Sequence, residues 1–325
     1  MDTAPETKSD LYSTMSIQSE EQLFRQLKNL DTEQRNPATK AIDLADAFEI
    51  ARLINDEDKR VAYQVENKLK EIAEAIDLVK EALEKGGRLI YAGAGTSGRL
   101  GVLDAAECPP TFGTKPGQVV GLIAGGPDAI FVAQEGAEDD EETGRKAVDE
   151  IGLNGNDVVC GLAASGRTPY VHGALKEARE RGCKTIFVTT VPSTQITIEV
   201  DVLIDVPVGP EAIMGSTRMK SATAQKMVLN MITTGAMIRQ GKVYENVMVD
   251  LMLTNKKLKE RAKRIIMMFT DLRYEEAAAT LEAAGGHVKT ALLMALGNLN
   301  REEAENLLLQ HDGFIRKAFI SLQEN

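Results

Sequence analysis

From Val61 onward, Val65, Leu69, Ile72, Ile76, Val79 and Leu83 recur at steps of three and four until Gly86-Gly87. That spacing predicts one helix starting near Val61 and stopped by the glycine pair. The period then changes. Apolar runs at 88–92, 118–123, 157–162, 184–189 and 202–206 read as short buried strands, with helical stretches at 128–137, 142–151 and 170–181 between most of them. Buried strands alternating with helices predict an α/β fold, a parallel sheet with helices on both faces. A long helix is expected over 221–239, stopped by Gly241. Past about 253 the strand pattern ends. Short helices broken at Gly285-Gly286 and Gly313 predict a small C-terminal helical bundle.

Ahead of the first helix, residues 1–20 are polar and aperiodic and are expected to be loose. Residues 30–37 and 43–55 read as an extended arm followed by a short helix. The expected division is therefore an arm over 1–62, a sheet domain over 63–252 and a helical domain over 253–325.

Two strands end in related loops. Arg88 to Ala92 runs into Gly93-Ala94-Gly95-Thr96-Ser97-Gly98-Arg99, and Asp157 to Leu162 runs into Ala163-Ala164-Ser165-Gly166-Arg167-Thr168-Pro169. Glycine permits close backbone approach to a ligand. Hydroxyls beside the free N–H groups of a helix start suit phosphate oxygens. Ligands of parallel sheets sit outside the carboxyl ends of the strands, where both loops fall. The candidate binding residues are Gly95, Thr96, Ser97, Gly98 and Arg99 in the first loop, Ser165, Gly166, Arg167 and Thr168 in the second, and Ser216 farther on. The two arginines would pair with phosphate, or else with surface acids. Gly215 to Lys220 forms a third polar turn, in which Ser216 is a candidate cap for the long helix.

The first loop also spells Gly-x-Gly-x-x-Gly. A dinucleotide site needs an acid about 20 residues on, at the end of the next strand, to hold the ribose. Here that strand runs out into Ala124-Gly125-Gly126-Pro127, and the first acid is Asp128, past the strand tip. The motif lacks its context.

Composition narrows the partners. The net charge is −11 with lysines and arginines dispersed, aromatics are 4% and tryptophan is absent. Neither nucleic acid nor a membrane surface is expected as a partner. Cys108, Cys160 and Cys183 have neither metal nor disulfide-framework spacing and read as reduced thiols of a cytoplasmic protein. No 18-residue apolar span and no signal peptide are visible.

For chemistry, two acids stand near the loops. Glu107 precedes Cys108-Pro109-Pro110, where the double proline predicts a helix end facing the crevice. Glu138 follows one strand later, at the head of an acidic run that ends at Glu142. Each could be an ordinary exposed glutamate. If both reach the crevice, two carboxylates with separated pKa values can act as acid and base. His172, His287 and His311 read as structural, and no zinc cluster, nucleophile elbow or P-loop is present.

The segments Thr32 to Pro37, Ile54 to Asp58, Gly93 to Leu100, Ala106 to Pro110, Glu135 to Asp139, Ala164 to Tyr170, Gly215 to Lys220, Gln225 to Asn230 and His311 to Arg316 together resemble the N-acetylmuramic acid 6-phosphate etherases. The likeness runs from about residue 30 to 320, and more broadly to sugar-isomerase (SIS) domains, which bind phosphosugars. It implies cleavage of a D-lactyl ether to N-acetylglucosamine 6-phosphate and D-lactate, in recycling of cell-wall amino sugars. It further implies that Glu107 is the proton donor, Glu138 the second acid/base, and Ser97, Ser165 and Thr168, with Thr96 and Gly98, the phosphate or hydroxyl ligands. No cofactor or metal is implied, and a homodimer is expected. His311 and Arg316 are expected near a ligand crevice. The alternatives are a non-catalytic sugar-phosphate regulator, like the related glucokinase regulatory protein, and an aldose–ketose isomerase.

Overall fold

The computed structural model describes residues 30–253 and 255–324; the expectation for residues 1–20 lies outside them. After three short 3₁₀ turns between Asp31 and Leu44, helices α1 (Ala47–Glu66) and α2 (Leu69–Glu84) lead into the sheet. Strand β1 (Leu89–Gly93) is followed by α3 (Gly95–Phe112), β2 (Val119–Ile123), α4 (Glu141–Glu150), β3 (Val158–Leu162), α5 (Pro169–Glu180), β4 (Lys184–Thr189) and β5 (Val202–Asp205). Helix α6 (Lys220–Arg239) and the two-residue strands β6 (Val243–Tyr244) and β7 (Val247–Met248) then lead to α7 (Lys256–Phe269), α8 (Tyr274–Ala283), α9 (Val288–Gly297), α10 (Arg301–Gln310) and α11 (Ile315–Gln323).

The five strands are parallel in the order β2-β1-β3-β4-β5. Their side chains alternate between two cores, as a pleated strand requires. Leu89, Tyr91, Cys160, Leu162, Ile186 and Val188 face α1, α2, α3 and α6. Ile90, Ala92, Val159 and Phe187 face α4 and α5 on the other side. Burial on both faces explains why the strands read as unbroken apolar runs. A third cluster holds α7 to α11 together and includes Val249 and Leu251.

Four local expectations are corrected. The helix read from Val61 is two helices, and the expected short helix of the arm is the front of α1, so the boundary at 62 falls inside α1. The front of α1 buries no residue before Glu57, which left little apolar period to read. Asp46 Oδ1 caps it, accepting from Glu49 N–H at 2.8 Å. The helix expected over 128–137 is only two 3₁₀ turns, Pro127–Ile130 and Ala137–Asp139. Phe131 and Val132 between them are exposed, so no buried face stabilises a helix there.

The Pro109-Pro110 pair does not end α3, which runs on to Phe112. The missing N–H groups fall in its last turn, which Cys108 and Phe112 anchor by burial. Gly113, at φ +62°, closes that turn through its N–H to Pro109 O.

Candidate active site

Strand β1 has β2 on one side and β3 on the other, so successive connections leave it in opposite directions. This is the point in an open α/β sheet where a ligand crevice forms. Gly93 is the register partner of Leu162, so the two glycine loops leave adjacent strands side by side, about 5 Å apart.

In the first loop Gly95 takes φ +52° and opens α3. Gly98 lies directly against β1: a Cβ there would stand 2.7 Å from both Gly93 O and Ile123 Cγ1. The helix therefore starts tight on the sheet. Thr96 is half-buried and Ser97 buried. Ser97 Oγ donates to Gln225 Oε1 of α6 at 2.7 Å. Arg99 departs from its expected pairing with phosphate or surface acids. Its Nε donates to Ile130 O (2.9 Å) and its Nη2 to Ala129 O (2.7 Å), pinning the Pro127–Ile130 turn over the loop.

The second loop is fixed from just past β4, where Thr190 N–H and Oγ1 donate to Ala164 O at 3.1 and 3.0 Å. Gly166 takes φ +71°, and a Cβ there would meet Ile196 Cδ1 at 2.3 Å. Ser165 Oγ accepts from Arg167 N–H at 3.4 Å, turning the chain. Thr168 is the N-cap residue of α5, yet its side chain makes no capping bond, so the hydroxyl is not committed to the helix. His172 Nε2 donates to Gly166 O at 2.9 Å. This histidine, read as structural, braces the loop.

A cleft of about 180 Å³ opens at the front of α3, lined among others by Gly95, Arg99, Gln134, Glu135 and Glu138. Glu138 is solvent-exposed as a residue, yet partial desolvation of its carboxyl beside the cleft raises its pKa above the ordinary value, and the charges of Asp139 and Glu135 add to the rise. Such a carboxyl can hold a proton at higher pH than a surface glutamate. Glu107 lies elsewhere. It is exposed on α3, 12 residues past Gly95, about 18 Å along the helix axis, and is not among the residues lining this cleft. The structure thus brings Glu138 to the first loop, and it does not bring Glu107 there within one chain.

Ser216 is half-buried in the turn before α6, and the expected cap is corrected. Its carbonyl accepts from Met219 N–H, while the first amides of α6 go to a different residue. Glu211 Oε2 and Oε1 accept from Lys220 N–H and Ser221 N–H, each at 2.9 Å. A buried carboxylate at a helix N-terminus meets both the orphan amides and the positive end of the dipole. Sequence reading missed it because the acid stands nine positions before the helix. It missed Gln225 for another reason: nothing in an apolar helix marks one polar side chain as the partner of a loop 128 residues away.

Beneath the site lies a buried carboxyl. Asp104 accepts from Tyr91 OH (2.9 Å) and Thr233 Oγ1 (3.2 Å), and burial raises its pKa. Cys108, Cys160 and Cys183 are free and buried; burial pushes the Cys108 thiol up to about 12 and the Cys183 thiol to about 11. They are not nucleophiles.

The parallel sheet, its switch point and the two hydroxyl-bearing loops define a sugar-isomerase-type phosphosugar-binding domain. Two family models match it, the SIS domain over residues 151–235 and the glucokinase regulatory protein N-terminal SIS domain over residues 71–179. The chain is 57% identical to an N-acetylmuramic acid 6-phosphate etherase of Salinibacter ruber, over 91% of this chain and 96% of that one. It is 53% identical to one of Photorhabdus laumondii (91% and 99%) and 49% identical to one of Clostridioides difficile (93% and 99%). The chain belongs to the N-acetylmuramic acid 6-phosphate etherase family.

Proposed function

We propose that the chain cleaves the D-lactyl ether of N-acetylmuramic acid 6-phosphate, giving N-acetylglucosamine 6-phosphate and D-lactate. The observation that carries the reading is the side-by-side exit of the two hydroxyl-bearing loops at the β1/β3 switch point, with Glu138 lining the cleft at Gly95. The phosphoryl group binds at the loops, held by Ser97, Ser165 and Thr168 with Thr96, Gly98 and Gly166 beside them. Arg99 shapes the loop, and Arg167 and Ser216 border the sugar.

The chemistry follows from the open-chain sugar. The C1 aldehyde acidifies the proton on C2, and a carboxylate takes it. The electron pair forms the C2–C3 double bond as the C3–O bond breaks, and the departing lactate oxygen takes a proton from an acid. Water then adds to C3 of the enal, and C2 is reprotonated. Glu138, with its raised pKa, is the acid/base in the cleft, and Glu107 is the proton donor. The aldehyde itself supplies the activation, so the proposal assigns no cofactor.

We also place the protein in the cytoplasm as a homodimer, with phosphorylated amino sugar as substrate and neither nucleic acid nor membrane as partner. Among the described residues no helix is long and apolar enough to cross a membrane. An open apolar groove of about 510 Å³ between α2 and α6, lined by Leu69, Ile76, Met227, Met231 and Ile238, supports pairing of two copies. Residues 63–252 and 253–325 act as phosphosugar-binding and helical units, which their largely separate apolar clusters support.

Incubation with N-acetylmuramic acid 6-phosphate should release one D-lactate per sugar. Tight sugar-phosphate binding without lactate, or conversion of an aldose to a ketose phosphate, would overturn the reading.

A further inference from the structure

Gln225 is 1% exposed and Ser221, one helical turn earlier on the same face of α6, is fully buried. Gln225 Nε2 and Ser221 Oγ are both buried without a hydrogen-bond partner among the described residues. A buried donor left unpaired is costly, so each such group calls for an account. The neighbouring Oε1 of Gln225 accepts the proton of Ser97 Oγ at 2.7 Å. Ser97 is the buried hydroxyl of the first loop.

A serine hydroxyl has one proton and two lone pairs. While Ser97 donates to Gln225, that proton cannot go to a phosphoryl oxygen, which accepts only. Turning the Gln225 amide by 180° reverses the bond. Nε2 then donates to a lone pair of Ser97 Oγ, and the Ser97 proton is released toward the anion. The same turn gives Nε2 its acceptor and carries Oε1 to the other side of the amide, one helical turn from the likewise unpaired Ser221 hydroxyl. The two amide orientations occupy nearly the same volume, so the packed core does not oppose the turn.

We propose that Gln225 is the positioning residue for Ser97, with its amide setting which way the serine proton points and turning to donate when a phosphorylated ligand binds. The inference rests on the reading of Ser97 as a phosphate ligand. Gln225 touches no reacting atom and should act on binding alone. A carboxylate in its place accepts only, and would hold the Ser97 proton permanently while adding like charge near the phosphate.

The test is steady-state kinetics with N-acetylmuramic acid 6-phosphate, alongside binding of N-acetylglucosamine 6-phosphate, for Ser97→Ala, Gln225→Glu and Gln225→Met. Ser97→Ala and Gln225→Glu should each raise KM and the product Kd by roughly tenfold or more, the scale of a lost hydrogen bond to a charged group. Turnover of the Gln225 variants should stay within about threefold, since Gln225 touches no reacting atom. Lowering the pH should restore part of the Gln225→Glu affinity as the introduced carboxyl takes a proton, a response that a merely structural defect would lack. Gln225→Met, which removes the acceptor without adding charge, should weaken binding less than Gln225→Glu and show no such pH response. It also carries the test if Gln225→Glu does not fold. An effect of Ser97→Ala with normal KM in the folded Gln225 variants overturns the inference and leaves the site reading standing. A Ser97→Ala variant with normal KM and Kd overturns both.

Discussion

Lys220 Nζ lies 2.6 Å from Glu57 Oε2, and both side chains are buried, at 3% and 4% exposure. Asn36 Nδ2 donates to the same carboxylate oxygen at 2.8 Å and to Pro210 O at 3.1 Å. One ion pair therefore ties the N-terminal arm, α1 and the loop before α6 to the residue that begins α6. Lys220 lies five residues from Gln225, about one and a half helical turns, and so near the Ser97 contact. Removing Lys220 leaves the buried Glu57 facing only the exposed Arg60, whose Nη1 stands 3.4 Å from Oε1; a buried charge stripped of its main partner costs up to about 3–5 kcal/mol, whereas replacing both by apolar groups of similar size is often neutral. Lys220→Met should lower unfolding free energy by about that amount in urea titration. The double variant Lys220→Met with Glu57→Leu should recover most of it, limited by the Asn36 amide left without its acceptor.

The raised pKa of Glu138 fixes the sign of a pH effect. A base must be ionised, so kcat/KM should fall as pH drops through the raised value, placing the acid limb above the ordinary carboxylate range. Asp139 contributes to the rise by like charge. Asp139→Asn should move the acid limb to lower pH without abolishing turnover. Glu138→Gln should remove the limb along with the activity. A pH–rate profile of lactate release measures both, and an unmoved limb in Asp139→Asn would detach the profile from Glu138.

Helices α4 and α5 touch backbone to backbone. A Cβ on Gly144 would stand 1.9 Å from Tyr170 O, and one on Gly173 would stand 1.9 Å from Glu141 O. No side chain can yield there, because the opposing atoms are main chain. Gly173→Ala should destabilise the fold by about 1–3 kcal/mol or more, the cost of overpacking. Gly152→Ala, at φ +64° with no neighbour within 4 Å, tests the separate cost of left-handed backbone. Thermal unfolding should show Gly173→Ala as the more severe of the two.

Much of this architecture was legible because each layer left a period. Strands buried on both faces, such as Val158–Leu162, had to be apolar throughout, and the two loops announced themselves through glycine and hydroxyls at strand ends. What escaped was long-range and polar. Glu57 stands in the charged run Asp56-Glu57-Asp58-Lys59-Arg60, and only its meeting with Lys220, 163 residues on, makes it core. The double proline misled because a terminal helical turn tolerates lost amides when Phe112 beyond it is buried. The 128–137 stretch misled the other way, since Phe131 and Val132 look like helix core and are exposed at 87% and 64%. Arg99 was legible as a loop residue, while its grip on two carbonyls of the Pro127–Ile130 turn was not.

Glu107 carries the most informative single test, because its position and its proposed role pull apart. The side chain is exposed on α3 and makes no hydrogen bond or ion pair in the described structure. Glu107→Gln should therefore leave stability within about 0.5 kcal/mol of the parent, as for surface substitutions generally. It should also leave binding of N-acetylglucosamine 6-phosphate unchanged, since the residue lies well beyond the loops proposed to hold the phosphate. A proton donor replaced by its amide loses turnover by about 10²–10⁴-fold. Stability and binding that stay normal while lactate release collapses would place Glu107 at the reacting bond, and its exposure would then require that the site be completed by a surface outside this chain's own cleft. Near-normal turnover would remove it from the mechanism and leave Glu138 as the sole acid/base of the two.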